Sequence, residues 1–192
     1  MKLICIRHGQ TNYNVKDLCN GKPNPKVRLT ALGRQQAKAA ADILKKEKID
    51  VIFISQLRRS QQTAQIINRY HNVPLVMDKR LNDRQMGPYE DKPASLFYAW
   101  RDSQRNPWTA TPRGGESYES LKKRAKAFLS DLARTEYKAV LIVTHLPVLK
   151  VIRGQFKGLS NAAMDKLDEK AIPNCKVFRF SLKPVAQKKK KA

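Results

Sequence analysis

Leu3-Ile4-Cys5-Ile6-Arg7-His8-Gly9-Gln10-Thr11, with Asn14 three positions beyond, is the stretch from which the rest of the chain can be read. An apolar run leads straight into arginine, histidine and glycine. Neighbouring strand residues face opposite ways, so Arg7 and His8 share a pocket only if the strand ends at this point. Gly9 then lets the backbone leave the strand and come close to a ligand. A second run, Val140-Leu141-Ile142-Val143-Thr144, leads into His145 in the same way. Two histidines delivered alike, with arginines between them in sequence, suggest phosphoryl transfer through a phosphohistidine. A neutral imidazole is a good nucleophile near pH 7, and guanidinium forks suit phosphate oxygens.

Working outward, strands and helices alternate. Strands are expected over 2–7, 51–55, 73–77, 140–144 and 176–182. Helices are expected over 31–46, 58–70, 94–104, 117–134 and 148–157. Thr30 and Ser117 are the expected caps of the first and fourth helices. Leu32, Ala39, Ala40, Ile43 and Leu44 are the expected apolar positions of the first. The alternation predicts an α/β three-layer sandwich, with a central, mainly parallel sheet flanked by helices. His8, Arg59, Asp83 and His145 then fall at or just beyond the C-terminal ends of four strands. Ligands bind at that edge in open α/β sheets.

The 192 residues suit one domain. That domain is expected over 1–183, with 84–114 as a partial lid insertion and 184–192 as a basic, disordered tail. No apolar run is long enough to span a bilayer, so no membrane association is expected. The short N-terminal apolar stretch lacks a secretory pattern. Three cysteines (Cys5, Cys19, Cys175) show no C-x-x-C spacing. Together these readings predict reduced thiols in the cytoplasm. The formal net charge is +23, and removing the five lysines at 183 and 188–191 leaves +18. Such a field attracts phosphorylated metabolites, nucleic acid and anionic surfaces alike. A lysine-decorated surface without a functional role accounts for it equally simply.

Two further segments carry chemistry. In Ser55-Gln56-Leu57-Arg58-Arg59-Ser60-Gln61-Gln62-Thr63-Ala64 a strand ends and a helix opens, exposing amides to an anion. One of Arg58 and Arg59 reaches the pocket and the other faces solvent. Leu81-Asn82-Asp83-Arg84-Gln85-Met86-Gly87-Pro88-Tyr89-Glu90 offers carboxylates able to protonate a leaving alkoxide. No metal-ligand cluster is evident, and no cofactor is expected.

The chain resembles the histidine phosphatase superfamily in its phosphoglycerate mutase-like branch. The opening matches RHGxTxxN through Arg7, His8, Gly9, Thr11 and Asn14. Leu29-Thr30-Ala31-Leu32-Gly33 through Ala37 resembles LTxxGxxQA. Ser55, Leu57, Arg59 and the following Gln-Thr-Ala resemble SxLxRAxQTA. Gly114-Gly115-Glu116-Ser117 with Arg124 resembles the GGES helix, and Val143-Thr144-His145 the second histidine motif. The resemblance covers residues 3 to about 152. It implies phosphorylation of His8, with Arg7, Asn14, Arg59 and His145 holding the phosphate, and a metal-independent reaction. It also selects Arg59 over Arg58. Asp83 stands where the family's general acid is usually glutamate, with Glu90 as reserve candidate. Leu146-Pro147 follows His145 where glycines are common, which narrows the pocket or stiffens the helix start.

The expected activity is hydrolysis of a small phosphomonoester, because the chain lacks the double-arginine insertion of the mutases. The alternatives are a cofactor-dependent mutase-type phosphotransferase, or a weakly active member that binds nucleic acid or other anionic partners. Nucleic acid is the less expected partner, since no recognition motif accompanies the charge. Aromatics at Tyr89, Phe97, Tyr98, Trp100 and Trp108 read either as a substrate-selecting lid or as a helix packed through Leu96, Phe97 and Trp100. Sugar phosphates, phosphoglycerates, phosphoserine, nucleotide-pathway intermediates and phosphoprotein histidines all remain open as substrates. Oligomeric state is not legible.

Overall fold

A computed structural model describes residues 1–185, apart from the side chain of Glu169. The strands are β1 (Lys2–Arg7), β2 (Val51–Ile54), β3 (Leu75–Met77), β4 (Ala139–Thr144) and β5 (Val177–Ser181). They form one sheet in the order β3-β2-β4-β1-β5. All neighbours are parallel except β5, which runs antiparallel to β1. The helices are α1 (Asn12–Val15), α2 (Ala31–Leu44), α3 (Arg58–Asn68), α4 (Ala94–Asp102), α5 (Tyr118–Leu132), α6 (Leu146–Phe156) and α7 (Asn161–Asp165).

Alternation along the central strands builds the layers. Leu3, Cys5, Val140 and Ile142 face one apolar cluster, with Leu121 and Phe128 of α5 and Leu149 of α6. Ile4, Ile6, Leu141 and Val143 face the other, with Ala37, Ala41 and Leu44 of α2 and Ile67 of α3. Every residue of β4 is buried, as a central parallel strand between two helical layers requires.

Thr30 and Ser117 cap α2 and α5, accepting from the backbone N–H groups of Gly33 and Ser120. The buried face of α2 differs from the expected one. Gly33, Ala37, Ala40, Ala41 and Leu44 turn inward, while Leu32 and Ile43 are exposed. Gly33 sets this rotation. A Cβ there would stand 2.0 Å from the carbonyl oxygen of Gln10, and one on Gly9 would stand 2.4 Å from that of Gly33. The approach of α2 thus by itself requires glycine at position 9.

In the 84–114 segment Phe97 is buried while Leu96 is exposed, so the expected packing through Leu96 does not occur. Tyr89, Phe97 and Trp100 instead form an aromatic cluster with ring centroids 5.6–5.7 Å apart. The helix expected from 148 starts at Leu146, because Pro147 fits the first turn, where no intrahelical N–H bond is lost. The N–H of Val185 donates to Ala133 O at 2.8 Å, which carries the docked chain past the expected boundary at 183. Residues 186–192, the rest of the basic tail, lie outside the described residues.

Candidate active site

β1 ends at Arg7, and His8 continues its pairing through an N–H bond to Thr144 O at 2.9 Å. The β1–β4 register, with Arg7 beside Thr144, brings the two following histidines together. Their ring centroids lie 5.1 Å apart. A cavity of about 210 Å³ opens here at the C-terminal edge of the sheet, and Arg7, His8, Asn14, Arg59 and Asp83 line it.

The bonds of His8 define the tautomer of its ring. Nδ1 lies 2.8 Å from Gly9 O, an acceptor only, so Nδ1 carries the hydrogen. Nε2 keeps its lone pair and accepts from Arg59 Nε at 3.1 Å. Burial, then the cations of Arg59 and Arg7, hold the pKa of His8 well below the ordinary histidine value. The ring is therefore neutral near pH 7, with its nucleophilic nitrogen turned toward a guanidinium.

Arg59, in the first turn of α3, is 4% exposed. Besides His8, it donates to Asn20 through Oδ1 and the backbone oxygen, and to Asp83 Oδ2 at 2.9 Å. Arg58 turns outward and donates to Pro25 O at 3.2 Å. Arg7 Nη1 donates to Ile172 O at 3.0 Å.

His145 is fully buried at the N-cap of α6, and burial followed by the Arg59 cation lowers its pKa well below the ordinary value. Its Nε2 lies 2.8 Å from Ser55 Oγ. That oxygen already accepts from Leu57 N, so the arrangement that satisfies both groups has the hydroxyl donating to Nε2. Nδ1–H then faces Asp83 Oδ2 at 3.6 Å, too far for a hydrogen bond, and stays unpartnered. A buried donor left open beside two arginines is what an anion needs.

The two candidate acids are placed differently. Asp83 projects into the cavity between Arg59 and His145, with Oδ1 accepting from Arg84 N. Arg124 secures its loop by bonds to the Arg80 and Asp83 carbonyls while paired with Glu116. Glu90 is engaged by backbone, accepting from Gly21 N at 2.7 Å and Met86 N at 2.8 Å. Asn14 lines the cavity, but its Oδ1 closes the α1 capping box with Thr11, which leaves the amide nitrogen for an anion. Leu146 and Pro147 form part of the wall, and Pro147 lies in the first turn of α6. Among the described residues no group of three or more His, Cys, Asp or Glu side chains is set to hold a metal ion.

Several supporting residues had no assigned role. Thr63 Oγ1 accepts from Gly9 N at 3.0 Å, and Asn174 Nδ2 donates to His8 O at 2.7 Å. Ser55 and Thr63 lie in a segment that sequence reading singled out, whereas nothing marked Asn20 or Asn174.

Comparison with known proteins places the chain in a family. The family model described as the histidine phosphatase superfamily (branch 1) matches residues 3–190. A Hydrogenobacter thermophilus protein, provisionally named phosphoserine phosphatase 2, is 35% identical over 157 residues, covering 79% of this chain and 76% of its own. The adenosylcobalamin/alpha-ribazole phosphatase of Escherichia coli K12 is 30% identical over 174 residues, covering 85% and 83%. The solved mycobacterial glucosyl-3-phosphoglycerate phosphatase in complex with VO3 superposes with a TM-score of 0.81 at 26% identity, covering 94% of this chain and 90% of that one.

Proposed function

Because the chain belongs to the histidine phosphatase superfamily (branch 1), we propose that it hydrolyses a small phosphomonoester through a covalent phosphohistidine on His8. The observation that carries this reading is the state of His8. It is neutral and buried, with Nδ1–H tied to Gly9 O and the Nε2 lone pair turned into a cavity that also holds Arg7, Arg59 and Asp83.

In the first step the Nε2 lone pair attacks phosphorus and the ester P–O bond breaks. Asp83 gives its proton to the leaving oxygen. In the second step water attacks the phosphoryl group, Asp83 takes the water proton, the P–N bond breaks and inorganic phosphate leaves. Arg7, Arg59, His145 Nδ1–H and the Asn14 amide stabilise the equatorial oxygens throughout. In the resting site Arg59 shields Nε2 and pairs with Asp83. An arriving phosphate competes for that guanidinium. This frees the nucleophile and releases Asp83 from its ion pair with Arg59, so that the carboxyl can turn to the leaving oxygen.

Rapid acid-free quenching with a 32P-labelled aryl phosphate tests the proposal. The label is expected on His8 as an acid-labile, base-stable adduct, absent in His8→Ala. Label on a serine or cysteine, or hydrolysis undiminished in His8→Ala, overturns it. Added acceptor alcohols compete with water only weakly if the enzyme is a hydrolase; efficient transfer to them would mark a phosphotransferase instead.

A further inference from the structure

The lining of the cavity has a charge balance unlike that of the chain: two arginines against two aspartates. The net charge is +23, yet among the described residues that line the cavity the cations are Arg7 and Arg59, both at the phosphate end. The rest of the lining sets the apolar side chains of Met86, Ala94, Phe97, Leu146 and Pro147 beside Tyr13 and Tyr98, and its acids are Asp83, paired with Arg59, and the exposed Asp17. Asp17 is held in place: Ala94 N donates to its backbone oxygen at 2.8 Å, and its φ is +50°.

Three arginines near the site are engaged elsewhere. Arg124 pairs with Glu116, Arg80 pairs with Asp78 and Asp131, and Arg58 bonds Pro25 O. The Arg84 guanidinium lies behind the wall between the rings of Phe97 and Tyr118, 4.6 and 4.0 Å from their centroids. A bound phosphate dianion balances Arg7 and Arg59. A further anionic group on the leaving alcohol would meet Asp17 and, among the described residues of the lining, no cation beyond those two.

From this distribution we infer that the preferred substrate is the phosphomonoester of a compact alcohol with no anionic group of its own, either uncharged or carrying a cation, with an apolar face against Phe97 and Pro147. The inference rests on the phosphatase reading above. It sets phosphoglycerate-like and other carboxylated esters against uncharged or amine-bearing ones. The discrimination comes from an unmet charge rather than from an added contact.

The test uses three primary alkyl esters of three carbons whose far ends are methyl (propyl phosphate), ammonium (3-aminopropyl phosphate) and carboxylate (3-phosphonooxypropanoate). Phosphate release gives kcat/KM for each. Competition against 4-nitrophenyl phosphate ranks any that turn over too slowly to read. The carboxylate ester is expected to be about tenfold or more poorer than the propyl ester, since like charges brought together are strongly disfavoured. The ammonium ester is expected to equal or exceed the propyl ester. Asp17→Asn should lower the ammonium-to-propyl ratio by about two- to fivefold, the range of a partly exposed charge pair. Asp17→Lys should raise the carboxylate ester relative to the other two. A carboxylate ester that matches or beats the propyl ester overturns the inference and leaves the phosphatase reading standing, provided phosphohistidine still forms on His8. No phosphate release from any ester and no phosphohistidine overturn both.

Discussion

Replacing Asp83 with asparagine separates its two jobs, and the structure sets the size of each. Asparagine keeps an oxygen for the Arg84 N–H but cannot carry a proton to the leaving group. A positioned general acid contributes about 10²–10⁴ in rate, and only where the leaving oxygen needs the proton. An alkyl phosphate should therefore lose at least about a hundredfold in kcat, roughly 2.7 kcal/mol. An aryl phosphate, whose phenolate leaves unaided, should lose less than about tenfold. The lost charge also leaves the Arg59–Asp83 ion pair incomplete. Breaking a fully buried pair costs about 3–5 kcal/mol. Here the Asp83 side chain is 15% exposed and Asn20 supplies Arg59 with two further acceptors, so about 1–2 kcal/mol is expected. That corresponds to a Tm lower by roughly 3–6 °C. The assay is kcat on matched alkyl and aryl esters, with a thermal melt of each protein. Glu90→Gln is the control. It removes one of two carboxylate acceptors for Gly21 N and Met86 N, and should lower Tm while slowing both esters by the same factor. Equal losses on the two esters for Asp83→Asn, or a selective alkyl loss for Glu90→Gln, would refute the reasoning.

Three other outcomes follow from the same coordinates. Gly33→Ala places a methyl 2.0 Å from Gln10 O, a backbone atom, and should cost about 1–3 kcal/mol in denaturant unfolding; an unchanged midpoint would remove the close helix approach as its cause. Arg59→Ala should abolish measurable turnover while Arg58→Ala keeps it within about threefold, since only Arg59 reaches His8; a reversal in steady-state assays would displace the site by one residue. His8 and His145 are buried with lowered pKa values, so below about pH 6.5 the unfolded chain takes up protons that the folded one refuses. Stability should then be lost as pH falls from about 6.5 to 5, each histidine contributing about 1.4 kcal/mol per pH unit, with no slope from them above about pH 7.5. Urea unfolding at several pH values measures this, and His145→Asn should lessen the slope; a flat profile in that window would contradict the neutral buried assignment.

The parts of the site legible in the sequence were those delivered by strands. An apolar run that stops at a charged residue marks both a buried strand and its open end, so His8 and His145 could be placed without coordinates. The antiparallel setting of β5 and the strand order depend on crossovers that periodicity does not encode. Helix rotation was also hidden: α2 offers Leu32 and Ile43 on one side and small residues on the other, and contact of Gly33 with Gly9 and Gln10 decides between them. Arg58 and Arg59 are equivalent in local pattern, and it was the family resemblance that chose between them. Glu90 looked like an acid in reserve because the sequence cannot show that two backbone N–H groups already occupy its carboxylate. Asn20 meets Arg59 through its side-chain and backbone oxygens and Asn174 meets His8 O through its amide nitrogen, contacts that leave no periodic or compositional trace.

The clamp on the first strand bears on how the enzyme comes to life during synthesis. Arg7 O and His8 O accept from Cys175 N and Asn174 Nδ2, and Arg7 donates to Ile172 O, across separations of 165 and 166 residues for the side-chain bonds. β1 also lies between β4 and β5, which leave the ribosome long after it. The first of the five strands to be translated therefore waits for residues 139–181 before it has neighbours on either side. A nascent chain that has made His8, Arg7, Arg59 and Asp83 still lacks the strands that hold β1 in the sheet. Competence arrives late and all at once, so a prematurely terminated product would not act on the cell's phosphate esters.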